Sequence, residues 1–241
     1  MQQCLISIVD ILGTKGIWTE QSVDKYFEVI ENVKNQLESA KKYFNTLPNS
    51  QFIEFDFATF SDTLIITLTN KGEKYNYFFD ETIEGFSRLN LGIFQSYLAD
   101  YFFLRGCISF GDIEKRGNHF IGPAIDDAAE YCDSQEMIGI CFTPKASLAM
   151  KYAIDWNFKF NNTKIDKYVI EYLTPLKNKN QTYLFQINWI NHFLEQPKEN
   201  NPIEPLNQLT RFLSRRNIPT IALTKFSNTI DFFKFVEKNY S

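Results

Sequence analysis

Residues 4–10 read Cys-Leu-Ile-Ser-Ile-Val-Asp, and Ile11-Leu12-Gly13-Thr14-Lys15-Gly16 follow. An unbroken Leu/Ile/Val run that ends in a glycine-rich turn reads as a strand buried on both faces. It commits the chain to a fold built around a central sheet. The run also ends on a carboxylate, which is costly to bury unless something compensates it. Asp10 therefore either reaches solvent in the turn or holds a cation. Phe57-Ala-Thr-Phe-Ser61-Asp62-Thr-Leu-Ile-Ile-Thr67 follows the same logic, with the carboxylate at the start of a strand. Two expectations follow for Asp10 and Asp62. Either they meet in space and bind metal ions, or both are ordinary turn and capping residues.

The 241 residues suffice for one large domain, or one domain with a small appendage. A hydrophobic fraction of 44% supports a sizeable core. Net charge is −4, with both signs interspersed, which argues against a general nucleic-acid surface. One nucleotide in a local basic pocket remains compatible with it. Cys4, Cys107, Cys132 and Cys141 form no CxxC pair. That pattern fits a reducing compartment and no structural zinc. The N-terminus has no basic leader, and no apolar run approaches the length of a membrane span. The expectation is a cytoplasmic protein without membrane contact.

After the first strand, Val23, Phe27, Ile30, Val33 and Leu37 recur at helical spacing, predicting a helix from about Thr19 to about Phe44. Residues 52–57 and 63–68 read as strands joined by a tight turn at Ser61-Asp62. A second helix is predicted from about Tyr75 to about Tyr101, and a β-hairpin over 103–121. Pro123 opens a further helix, residues 137–142 form a strand, and Thr143-Pro144 caps a short helix through Tyr152. This order is an α+β fold with a ferredoxin-like βαββαβ core. The core is expected over residues 1–155. Residues 156–241 form a C-terminal α/β extension packed on it and are a candidate dimer arm. The extension reads as strands 168–173 and 182–187, then helices 190–196, 205–216 and 226–239.

Hard divalent cations take oxygen ligands, and Mg²⁺ in nucleotide enzymes uses one or two carboxylates plus substrate phosphates. Asp10 and Asp62 supply that donor type. His119 and His192 are too few and scattered for a histidine metal site, Ser61 has no histidine partner, and no P-loop or GxGxxG is present.

Four segments together carry a family resemblance. Val9-Asp10-Ile11-Leu12-Gly13 resembles the opening metal motif of class III adenylyl and guanylyl cyclase catalytic domains. Ser61-Asp62, 52 residues on, resembles their second metal motif. Leu104-Arg105-Gly-Cys-Ile-Ser-Phe-Gly111 is similar to the family's Arg-x-Gly-Ile-x-x-Gly strand. Gly122-Pro-Ala-Ile-Asp126-Asp-Ala-Ala-Glu130 is similar to its Gly-x-x-Val-Asn-x-Ala-x-Arg helix. The resemblance covers about residues 3–150. It implies two divalent cations, Mn²⁺ or Mg²⁺, held by Asp10, Asp62 and the main-chain carbonyl of Ile11. It also implies a nucleoside triphosphate substrate and a homodimer with the site at the interface.

The departures matter as much. Asp126 and Glu130 stand where the family has its transition-state Asn and Arg. Ala58 occupies the purine-selecting position, and His119 falls near the other base-reading position. The chain therefore looks closer to the pyrimidine cyclases of the Pycsar antiphage systems. Those convert UTP or CTP to the 3′,5′-cyclic monophosphate, which reaches a separate effector. Arg105 is the leading candidate to face the triphosphate, because an arginine inside an apolar strand needs a partner. A salt bridge to Asp10 or Asp62 is its structural alternative. Lys115, Arg116, Lys177 and Lys179 are further cationic candidates, with a solvated hairpin tip as the alternative for Lys115 and Arg116. Phe57 and Phe60 are candidates to stack on the base, with core packing as the alternative for at least one. A catalytically degenerate nucleotide sensor and a palm-type oligonucleotide synthetase are the competing readings.

Overall fold

The computed structural model describes residues 1–12, 23–47, 49–72, 78–116, 119–156, 167–195, 204–215 and 222–240. The glycine turn at Gly13–Gly16 and the predicted first turn of the following helix lie outside these residues.

The apolar run forms β1 (Gln2–Ile11), whose interior positions are buried as a two-faced strand requires. It pairs antiparallel with β3 (Thr63–Asn70) on one side and β4 (Leu104–Arg116) on the other. β2 (Ile53–Phe60) pairs antiparallel with β3 through the two-residue turn Ser61-Asp62. Helix α1 (Val23–Phe44) connects β1 to β2, and α2 (Phe78–Ala99) connects β3 to β4. The strand order β2-β3-β1-β4 is the ferredoxin-like arrangement expected of this βαββαβ order.

Alternation along β1 assigns its side chains to two cores. Leu5, Val9 and Ile11 join Leu64, Ile66 and Leu68 under α1 and α2. On α1 the buried residues Tyr26, Val29, Val33 and Leu37 recur at spacings of three and four, one stripe of the helix. Cys4, Ile6 and Ile8 face the opposite side, against Ala124, Ala128 and Cys132 of α3 (Pro123–Ser134). Each fully buried aliphatic side chain here contributes about 2 kcal/mol of transfer free energy. All four cysteines are buried and free.

β4 runs five residues beyond Gly111, because Ile113 keeps the alternation going with its side chain buried. It then pairs with β5 (His119–Ile121). Gly122, at φ +139°, makes the turn into α3. A Cβ there would stand 2.6 Å from the Asp112 carbonyl oxygen. β6 (Gly139–Phe142) lies parallel to β4, and α4 (Pro144–Trp156) follows it. The Thr143 hydroxyl accepts from the Ala146 amide at 3.3 Å and caps α4.

The C-terminal residues extend the same sheet. β8 (Gln181–Ile187) pairs with β6, and β7 (Val169–Pro175) forms the far edge, giving β2-β3-β1-β4-β6-β8-β7. Short α5 (Asn191–Leu194), α6 (Pro205–Leu213) and α7 (Leu223–Tyr240) complete the layer. Trp189 is fully buried and stacks on Phe94 of α2 at 4.8 Å between ring centroids. Among the described residues, no helix is long and apolar enough to cross a membrane.

Candidate active site

Five register partners form one row across the sheet: Phe60, Thr63, Asp10, Arg105 and Gly139. Asp10 has the parity of Cys4, Ile6 and Ile8, so its carboxylate emerges on the α3 side. The Thr63 hydroxyl donates to Asp10 Oδ1 at 3.2 Å. Asp62 sits in the β2–β3 turn beside this row. Its carbonyl accepts from the Ile11 amide at 3.4 Å. Ser61 adopts the left-handed region at φ +56°, and its carbonyl accepts from the Tyr26 hydroxyl at 3.3 Å. The turn is thus tied to both β1 and α1.

The two aspartates therefore lie at the same end of β1, near enough for the Asp62 charge to act on Asp10. Burial pushes the Asp10 carboxyl above its ordinary value, and the Asp62 charge pushes it further in the same direction. Arg105 and the Thr63 hydroxyl oppose the rise without cancelling it.

Arg105 lies between two carboxylates. Its Nη2 stands 3.6 Å from Asp10 Oδ2, and its Nη1 stands 3.6 Å from Asp133 Oδ1. Nη1 also donates to the Asp133 carbonyl at 3.1 Å. Its Nε is buried without a hydrogen-bond partner. The side chain is only 14% exposed, against 67% for Asp133. Lys177, in the turn between β7 and β8, reaches the same Asp133 at 2.6 Å and holds that carboxyl below its usual range. Lys225 of α7 pairs with Glu136 at 2.8 Å and donates to the Gln135 carbonyl. The alternating series Asp10, Arg105, Asp133, Lys177 thus links the carboxylate end of β1 to the β7–β8 turn.

Lys115 and Arg116 are placed elsewhere. Lys115 crosses over the sheet to pair with Asp56 and, at 3.7 Å, with Glu54 of β2. Asp56 is opposite Thr67, four residues along β3 from Thr63, or about 13 Å from the Asp10 row. Arg116 is exposed and pairs with Glu114 at 2.6 Å. Within one chain, then, neither reaches Asp10 and Asp62.

The two phenylalanines separate. Phe60 ends the Asp10 row and is 81% exposed. Phe57 packs against the core under α1 and α2, with its ring 6.4 Å from that of Phe55. A spacing of three along a strand puts them on opposite faces, so Phe57 is a core residue and does not meet the carboxylates. Ala58 shares the Phe60 face. His119, Asp126 and Glu130 are exposed, the last two on α3 away from the sheet. Lys179 is likewise exposed in the β7–β8 turn.

Sequence reasoning missed Asp133, Thr63 and Tyr26. Thr63 carried a usable signal, since it follows Asp62 and opens the strand that pairs with β1. Asp133 carried none, because only the docking of α3 on β4 brings it to Arg105.

Among the described residues, no group of three or more His, Cys, Asp or Glu is placed to hold a metal ion. Two carboxylates and a main-chain oxygen are nevertheless the donors a hard cation uses when water and phosphates complete its shell. Burial first, and the Asp62 charge second, raise the Asp10 carboxyl, and a bound cation would offset both. The residues present fit Mg²⁺ or Mn²⁺.

No protein-family model and no curated protein sequence matches the chain. Solved structures do. The catalytic core of a rhodopsin-guanylyl cyclase with converted specificity, in complex with ATPalphaS, aligns at TM-score 0.51 and 11% identity, covering 77% of this chain and 94% of that one. The adenylyl cyclase CyaB from P. aeruginosa aligns at 0.47 and 10%, covering 77% and 93%. An adenylate/guanylate cyclase/hydrolase from Silicibacter pomeroyi aligns at 0.48 and 14%, covering 77% and 95%. Together with the mixed sheet and its ferredoxin-like core, the first of these shows that the chain has the fold of the class III nucleotide cyclase catalytic domains.

Proposed function

We propose that this chain is a nucleotide cyclase that converts a pyrimidine triphosphate, UTP or CTP, to its 3′,5′-cyclic monophosphate and pyrophosphate. The observation that carries the reading is the placement of Asp10 and Asp62 side by side at one end of a cyclase-type sheet, with Asp10 opposite Thr63 and the Asp62 charge acting on it. These two carboxylates, with the Ile11 carbonyl, would hold two divalent cations. Such cations, when bound, acidify a ribose hydroxyl and neutralise phosphate charge.

The remaining steps fall to the chain's own side chains. Thr63 orients the Asp10 carboxylate, and the tethered Ser61-Asp62 turn fixes the second carboxylate. Arg105 and Lys177 stand at the same end of the sheet and supply positive charge for the triphosphate. In-line attack of the 3′-oxygen on the α-phosphorus forms the cyclic ester and breaks the bond to pyrophosphate. Catalysis of this kind is mostly positioning and charge neutralisation. Ala58 offers no long donor or acceptor to a purine edge, and the exposed Phe60 ring on the same face is free to stack on a base, which together support a base other than a purine. The exposed Asp126 and Glu130, the outlying Lys115 and Arg116, and the open Phe60 face fit a site completed by a second copy. Residues 156–241 would then serve as a dimer arm. The resemblance to the Pycsar enzymes supports a role as the signal generator of an antiphage system.

The test is incubation with Mn²⁺ and each of the four nucleoside triphosphates, followed by mass spectrometry for cyclic mononucleotides. Product from UTP or CTP that disappears in Asp62→Ala is expected. Tight nucleotide binding without turnover would instead establish a sensor, the reading favoured by acidic Asp126 and Glu130. Linear oligonucleotides would establish a palm-type synthetase.

A further inference from the structure

Arg105 is held in a way that serves neither of its partners fully. Its guanidinium stands at 3.6 Å from each of two carboxylates, beyond hydrogen-bond distance, and its Nε makes no hydrogen bond although it is buried. A guanidinium committed to one carboxylate normally makes a bidentate pair near 2.8 Å. Arg105 instead straddles Asp10 and Asp133, anchored by the Asp133 carbonyl at 3.1 Å. A small rotation about that anchor would commit it to either side.

The electrostatics explain why it leans on Asp10 at all. Asp10 is partly buried beside Asp62, and two like charges in such a place need a cation. Among the described residues, Arg105 is the cation paired with Asp10. We propose that Arg105 is the resident counter-ion of Asp10 and competes with a divalent cation for that carboxylate, with Asp133 as the station to which it withdraws. This inference rests on the metal reading of Asp10 and Asp62 given above. The site carries its own cation when metal is scarce, which sets a threshold of divalent ion below which the carboxylates stay closed to it.

The test is Mn²⁺ binding to the nucleotide-free full chain, followed by the electron paramagnetic resonance signal of the free ion, with circular dichroism confirming the fold of each variant. Arg105→Gln removes the competitor and should bind Mn²⁺ at least about fivefold more tightly than the unaltered chain, the scale of one partly exposed ion pair. Arg105→Lys keeps the charge and should stay within about twofold of the unaltered chain. Asp133→Asn removes the withdrawal station while leaving both Arg105 and Asp10 in place. It should weaken Mn²⁺ binding by about twofold, and it tests the idea even if Arg105→Gln fails to fold. Equal affinities across the set, or weaker binding by Arg105→Gln, would overturn the role of Arg105 and leave the metal site standing. Absence of Mn²⁺ binding from every protein in the set would remove the metal site and this inference together.

Discussion

Thr63 and Asp10 are register partners on β3 and β1, and the hydroxyl of the first donates to the carboxylate of the second at 3.2 Å. That bond favours the ionised carboxylate, while burial and Asp62 favour the protonated one. Thr63→Val should therefore raise the Asp10 titration further, and Asp62→Asn should lower it. Carbon-13 NMR of labelled aspartate carboxyls across a pH series checks both directions. A fall in Thr63→Val would contradict the assignment.

The same shift sets a stability trend. The folded Asp10 pKa lies above the unfolded value, so the folded chain binds this proton more tightly. The stability gained is fully present below the unfolded value, near 3.9, and is lost as pH rises through the folded one. At neutral pH the ionised Asp10 is thus a cost. Asp10→Asn should therefore unfold at a higher temperature than the unaltered chain at pH 7. Thermal melts at pH 7 and pH 4.5 check it, with the difference shrinking at the lower pH.

Gly106, between Arg105 and Cys107 on β4, lies opposite Val9 of β1. A Cβ there would stand 2.9 Å from the Ile8 carbonyl oxygen, 3.1 Å from Val9 and 3.2 Å from Ile140. Gly106→Ala should destabilise the chain by about 2 kcal/mol, since overpacking against backbone has no flexible neighbour to absorb it. Denaturant titration measures this directly.

Leu184, Ile187, Trp189, Phe232 and Phe233 are all fully buried although they lie C-terminal to residue 155. A fragment ending at residue 156 exposes the flank of β6 and the face of α2 that Trp189 covers. It should fail to fold cooperatively, seen as a lost melting transition. Trp189→Leu in the full chain should cost about 3 kcal/mol.

Much of this arrangement was legible in the residues. The apolar run into Asp10 and the turn residues at Ser61-Asp62 were readable as a strand end and a tight turn, and the pairing of β1 with β3 then places both aspartates at the same end of the sheet. The salt-bridge alternative for Arg105 was also readable, since charge inside an apolar strand must find charge. Phe57 and Phe60 could have been separated by parity alone, as an odd spacing sends them to opposite faces. The hairpin expected over 103–121 is present, with the polar residues Asp112 to Arg116 carried in β4 itself, where Ile113 continues the buried face. The merging of the C-terminal strands into the main sheet was not readable. β8 meets β6 at a single register pair, Cys141 with Gln186, and nothing local to either strand announces it.

The row Phe60, Thr63, Asp10, Arg105 and Gly139 draws on five strands and is scattered through the first 139 residues. Its members are neighbours through ladder hydrogen bonds and owe nothing to the lengths of the connections between them. Loops of this chain can lengthen or shorten over evolutionary time without disturbing the row, because added loop length costs little free energy. A shift of one residue in a single strand would turn that strand's contribution to the other side of the sheet. Relatives of this chain should therefore vary freely in their connections and hardly at all in register. They are better found by aligning strand pairings than by matching linear motifs.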